Sequence, residues 1–81
     1  MNIKVLGPGC PNCKRLSERV SEALAELRME AMIEKVTAYP EMMKYDILGT
    51  PGLVIDGKVV SSGRIPSKDE VKDWLQAAQN A

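Results

Sequence analysis

The chemistry-bearing residues of this 81-residue chain are two cysteines, Cys10 and Cys13, in a sequence without histidine. Chance puts a lone pair of cysteines at C-x-x-C spacing in about 2% of such chains, so the spacing asks for a reason. A structural staple is a poor one. The chain-entropy model gives only about 2 kcal/mol for so short a loop, and secreted mini-domains carry several bridges over long loops. A structural zinc site would be half ligated, because two thiolates without histidine leave two positions unfilled. Imidazole catalysis is excluded outright. What remains is thiol–disulfide exchange, in which one sulfur attacks a partner disulfide and a second resolves the mixed disulfide, or carriage of a soft metal such as Cu(I).

The neighbouring residues favour exchange. Gly7-Pro8-Gly9 cannot extend a ladder, and helical periodicity begins at about Pro11. Proline is welcome at the first helical position, where its missing N–H costs nothing. Cys10 then falls at the N-cap, whose side chain accepts from the N–H groups of the next two residues but one, here Asn12 and Cys13. A thiolate is a good acceptor there, and the helix dipole favours its charge by ~0.3–2 kcal/mol. Cys10 is thus expected to be the exposed nucleophile and Cys13, one turn in, the enclosed resolving sulfur. Pro11 and Asn12, between them, belong to the same site. Lys14 and Arg15 oppose the dipole but favour a nearby thiolate; Lys14 reads equally well as an i, i+4 partner of Glu18.

These residues need elements to position them. Ile3–Leu6 reads as a strand. Leu16, Val20, Ala23, Leu24 and Leu27 make one apolar stripe on a helix from about Pro11 to Met29. Ala31–Thr37 is a second strand, which closes a right-handed parallel βαβ unit. A short helix is expected over Pro40–Leu48, with Met42, Met43 and Ile47 apolar. Met42 and Met43 are adjacent, so they do not face one metal site and read as packing. Gly49-Thr50-Pro51-Gly52 breaks the chain. Leu53–Ile55 and Lys58–Ser61 flank Asp56-Gly57, a strong hairpin signal. Ser67-Lys68-Asp69-Glu70 fits a capping box opening a last helix, with Val71, Trp74, Leu75 and Ala78 on its buried face. Lys68 and Lys72 read as its solvated face, and Tyr39 and Tyr45 as half-buried packing. The order is βαβ then αββα in a single domain, residues 1–81.

Gly7-Pro8-Gly9-Cys10-Pro11-Asn12-Cys13 after a first strand, Thr50-Pro51 before the hairpin, and Ser62-Gly63-Arg64 before the last helix resemble the small thioredoxin-like redox-active disulfide proteins. These are glutaredoxin-sized members of the thioredoxin family. The resemblance covers nearly the whole chain. It implies an α/β fold, a four-stranded mixed sheet with helices on both faces, and a redox-active Cys10–Cys13 disulfide with no other cofactor. It implies that Pro51 is cis and lies across from the cysteines, with Thr50 and Pro51 binding the substrate chain. On composition alone Pro51 reads instead as a proline at a strand start, since only about 5–6% of X-Pro bonds are cis. The implied activity is reduction or exchange of protein disulfides by a monomeric cytoplasmic protein, reduced in turn by a donor like thioredoxin reductase.

The pattern also departs from the family. Pro11-Asn12 stands where thioredoxins carry Gly-Pro and typical glutaredoxins Pro-Tyr. No Trp precedes Cys10, and no acidic residue lies in Ile3–Leu6 to accept a proton. Ser61-Ser62-Gly63-Arg64 is not the Gly-Gly-x-Asp cradle of a glutaredoxin, so a protein disulfide is the expected partner rather than glutathione.

Composition narrows the rest. Eleven Lys and Arg balance eleven Asp and Glu, whereas a nucleic-acid binder needs a basic surplus. No apolar run approaches the ~20 residues of a membrane span, and the first residues lack the apolar core of a secretory signal. A soft-metal carrier of this size runs βαββαβ, with its hairpin straight after the first helix and a methionine where Pro8 stands. The chain read here places the hairpin late and ends in a capped helix.

Overall fold

The computed structural model describes residues 1–7, 11–47 and 49–80, the side chain of Asn80 excepted. Its elements are β1 (Asn2–Leu6), α1 (Pro11–Leu27), β2 (Met32–Val36), α2 (Tyr39–Met42), β3 (Gly52–Ile55), β4 (Lys58–Ser62) and α3 (Lys68–Asn80). The sheet order is β2-β1-β3-β4. β1 pairs parallel with β2 and antiparallel with β3, and β4 closes the hairpin. This is the mixed four-stranded sheet expected from the sequence.

Alternation along β1 sends side chains to both layers. Ile3 and Val5 join Leu53 and Ile55 beneath α1 and α3, whose Leu16, Val20, Leu24, Val71 and Leu75 complete the larger core. Leu6 and Val54 point the other way and are covered by Met42 of α2. Trp74 and Ala78 pack partly buried against the larger core, as their helical spacing requires.

Two boundaries differ from the sequence reading. α1 stops at Leu27 because Arg28 turns left-handed, at φ 55°. The Met29 N–H then donates to the Leu24 carbonyl at 2.9 Å, the closing bond of a Schellman motif. α2 is a single turn that ends at Met42, well short of Leu48, which lies outside the described residues. Continuing the helix would rotate Ile47 about 140° away from Met42. Leaving it lets both Tyr45 and Ile47 pack against the smaller core.

The hairpin turns on Asp56 and Gly57, both left-handed at φ 50° and 82°, as a type I′ turn demands. Opposite it, Leu53 pairs with Ser61 but Val54 with Val59, so Val60 is an extra residue in β4. Beyond β4 the capping box forms as read. The Glu70 N–H donates to Ser67 Oγ and the Ser67 N–H to Glu70 Oε1, each at 3.2 Å.

Arg64 grips the same carboxylate with both terminal nitrogens, at 3.1 and 2.7 Å. That guanidinium first, and the Ser67 N–H next, hold the Glu70 carboxyl down from 4.5 to about 2. A group depressed on folding contributes stability that is present above its unfolded value and lost as the pH falls through its folded one. Glu70→Gln should therefore be less stable than wild type at pH 7, and the two should converge as the pH drops from 4.5 towards 2. Urea unfolding across that range tests this; a gap independent of pH would contradict it.

Lys68 and Lys72 are not simply solvated. Both reach across to Glu26 of α1, at 2.5 and 2.8 Å, because α1 and α3 lie side by side on one face of the sheet. The Lys14–Glu18 pair does not form among the described residues.

Candidate functional site

The site lies where the C-terminal end of β1 meets the first turn of α1. β1 runs into Gly7, whose N–H donates to the Val36 carbonyl at 2.9 Å and so holds the chain in register with β2. Gly7 is buried, and the Cys13 sulfur rests against its α-carbon. A β-carbon on Gly7 would overlap Cys13 Sγ, come within 3.2 Å of Cys13 Cβ and lie 3.9 Å from Thr50 Cβ. Only glycine lets the strand end, the first helical turn and the Thr50 turn approach so closely.

Pro11 is the first residue of α1, and Pro11 and Asn12 are exposed. Cys13 is only 6% exposed and is disulfide-bonded. It is enclosed, as its place one turn into the helix requires. Pro8, Gly9 and Cys10 lie outside the described residues, and with them the expectation that Cys10 caps α1.

Across from Cys13, the Thr50–Pro51 peptide bond is cis. Pro51 is buried, whereas Thr50 is exposed. The Pro51 carbonyl accepts from the Gly63 N–H at 3.0 Å, which ties the turn to the segment after β4. A β-carbon on Gly49 would make an ordinary contact with the Gly63 α-carbon, 3.6 Å away, so the two segments lie side by side. Gly7, Cys13, Thr50 and Pro51 thus come from three separate stretches of sequence to one place.

Two cations, Arg64 and Lys4, are already engaged. Arg64, next to Gly63, is engaged by Glu70 on both terminal nitrogens. Lys4, the charged residue of β1, points to the α2 layer. Its ammonium donates to the Tyr45 hydroxyl at 3.0 Å and lies 3.8 Å from Glu34. The hydrogen bond from Lys4 to Tyr45, chiefly, holds that ammonium above its ordinary value. Tyr45 is half-buried as expected, but Tyr39 is not: it is 67% exposed. The single turn of α2 seats Met42 in the core and leaves Tyr39 facing outward, with Met43 just past the turn 80% exposed.

One role escaped the sequence reading. Gly7 reads there as a strand terminator, and no local pattern says that a sulfur six residues on will pack on it. The Ser61 hydroxyl is likewise unforeseen, being buried without a partner among the described residues.

A family model described as a thioredoxin domain matches residues 1–76. A thioredoxin of Methanothermobacter thermautotrophicus is 36% identical over 75 residues, covering 93% of this chain and 97% of the relative. A thioredoxin of Methanocaldococcus jannaschii is 39% identical over 75 residues, covering 93% of this chain and 86% of the relative. The soft-metal carrier gains no support from these relatives, nor from a fold whose hairpin comes late and whose last element is α3.

Proposed function

This chain belongs to the thioredoxin family, and on that premise we propose that Cys10 and Cys13 are the redox pair of a thiol–disulfide oxidoreductase acting on protein disulfides. The observation that carries the reading is the Cys13 sulfur, disulfide-bonded, enclosed and packed on Gly7 beside the Thr50–Pro51 turn. Cys10, the other cysteine of the chain, is the partner this reading gives that sulfur. It directly precedes Pro11, the first residue of α1, where backbone N–H groups and the helix dipole favour a thiolate.

In the reducing direction the Cys10 thiolate attacks one sulfur of the client disulfide. A mixed disulfide forms and the other client sulfur leaves as a thiolate. The Cys13 thiolate then attacks the Cys10 sulfur and releases the second client thiol. Two electrons pass to the client, and the chain is left with a Cys10–Cys13 disulfide for a donor like thioredoxin reductase to reduce, in the cytoplasm. Asn12, exposed in the first turn, follows Cys10 by two residues. Thr50 presents exposed backbone next to Pro51, with no hydrogen bond to another described residue, for the client chain to pair with.

Protein disulfides are favoured over glutathione by the commitment of Arg64 to Glu70. That carboxylate also sits at the N-terminus of α3, so neither the cation nor the helix end is left for a small acidic thiol.

Titration against a dithiol buffer tests the pair. Both thiols should appear in one two-electron transition that is lost in Cys10→Ser. In the reduced chain, Cys10 should alkylate faster than Cys13 between pH 5 and 9. Equal labelling, or faster labelling of Cys13, would contradict the assignment.

A further inference from the structure

The helix dipole favours acidic residues in a first turn, and two helices of this chain follow that rule. α2 carries Glu41 there, and α3 carries Asp69 and Glu70. α1 does the opposite. Its first turn holds no acidic residue, and Lys14 and Arg15 follow Cys13 instead, both exposed. A local rule broken without a local gain points to function. We propose that Lys14 and Arg15 form a docking surface for client chains that bear aspartate or glutamate beside their disulfide, so that the site selects acidic clients. The proposal rests on the disulfide-exchange reading and adds to it the charge of the client that the site prefers.

Three observations support that partner. The first is position. Lys14 and Arg15 follow Pro11 by three and four residues, so the three share one face of α1, and Pro11 is the exposed first residue of the helix, next to Cys10 in sequence. The second is that both cations are open. Glu18 is within helical reach of each, yet neither Lys14 nor Arg15 makes an ion pair or hydrogen bond with a described residue. Other cations are occupied: Arg64 by Glu70, Lys44 by Glu41, and Arg19 of α1 itself by the Pro66 carbonyl at 3.0 Å. The third is the balance of the whole chain. Its net charge is zero, so no general attraction draws anions to it, and preference is set by the charges that face the client as it docks.

The occupant is a polypeptide. A nucleic-acid backbone needs a basic surplus that the chain lacks. A small acidic thiol gains little from exposed cations one at a time. A client chain already held along the exposed Thr50 backbone adds each further ion pair within one complex, where a second contact costs less than a first.

The test uses the reduced full chain and synthetic peptides, each carrying one cysteine as a mixed disulfide. Three aspartates, three serines or three lysines are placed on one side of the cysteine and then on the other. Each rate is divided by that of the same peptide with a small neutral dithiol at the same salt, which removes the reactivity of the peptide itself. On one side, aspartate should exceed serine by roughly three- to tenfold at low salt, the scale of two exposed ion pairs, with lysine slowest. The ratio should fall towards one between about 0.01 M and 1 M salt, as the screening length drops from roughly 30 to roughly 3 Å. Lys14→Gln combined with Arg15→Gln should abolish it at low salt. That double substitution removes charges opposed to the dipole of α1, so the fold is not at risk. Lys58→Gln, which removes an exposed cation from the hairpin at the other end of the sheet, should leave the ratio intact.

Equal rates for the three peptides, or a ratio that survives the double substitution, overturn the docking surface while leaving disulfide exchange standing. If the double substitution slows all three peptides in one proportion, the cations act on the thiolate alone, and the proposal fails in the same way. A protein that reduces none of the peptides overturns the exchange reading and the docking surface with it.

Discussion

Gly7→Ala should destabilise the oxidised protein by about 2 kcal/mol, within the ~1–3 kcal/mol typical of overpacking a filled core. The added methyl group has nowhere to go. One side holds the Cys13 sulfur and its β-carbon, another the β-carbon of Thr50. Gly7 cannot retreat, because its N–H is held by the Val36 carbonyl at 2.9 Å. The penalty should depend on redox state. A disulfide fixes the Cys13 side chain in one rotamer, whereas a thiol can rotate away from the new methyl group. Gly7→Ala should thus cost the oxidised form more than the reduced one and make the protein a stronger oxidant. About 30 mV corresponds to 1.4 kcal/mol for a two-electron couple, so a shift of tens of millivolts is expected. Urea unfolding of both forms, with a glutathione titration, measures each part. Equal losses in the two redox states would show that the methyl group is accommodated by backbone movement instead.

The second large effect is kinetic. Cys13→Ser should leave the first attack intact and remove the resolving step, so that the chain accumulates as a mixed disulfide through Cys10. Cys10→Ser should lose exchange down to the uncatalysed background, because the remaining sulfur is enclosed at 6% exposure. Non-reducing electrophoresis against an oxidised client, followed by mapping of the bridge, separates the two. Equal trapping by both variants would mean that Cys13 is accessible enough to attack on its own, contrary to its burial.

Much of this architecture is legible in the sequence because its signals are local. The Leu16–Val20–Ala23–Leu24 stripe, the Asp56-Gly57 hairpin and the Ser67–Glu70 box each depend on residues within one or two turns of each other, and each is formed. The misreadings arise where a distant partner decides. Lys68 and Lys72 look like a solvated face until α1 brings Glu26 beside them. α2 ends early because Tyr45 and Ile47 have a core to fill that the local apolar spacing does not describe. Arg28 ends α1 in a left-handed conformation normally given to glycine, so the usual stop signal is absent. The site divides in the same way. Cys10, Pro11, Asn12 and Cys13 are adjacent and announce themselves, whereas the place of Thr50 and Pro51 is implied by family resemblance. The part played by Gly7 becomes visible only when its neighbours are assembled.

The extra residue in β4 bears on solubility. A four-stranded open sheet has two edges, and an unpaired edge is a template on which another chain can polymerise. Here β4 is interrupted at Val60, which breaks the regular spacing of its outward N–H and C=O groups. β2, the other edge, is five residues long and carries exposed Glu34 and Lys35. Both flanks are fenced against strand addition. Straightening β4 by deleting Val60 would remove one fence and leave a regular edge on which another chain could add as a strand.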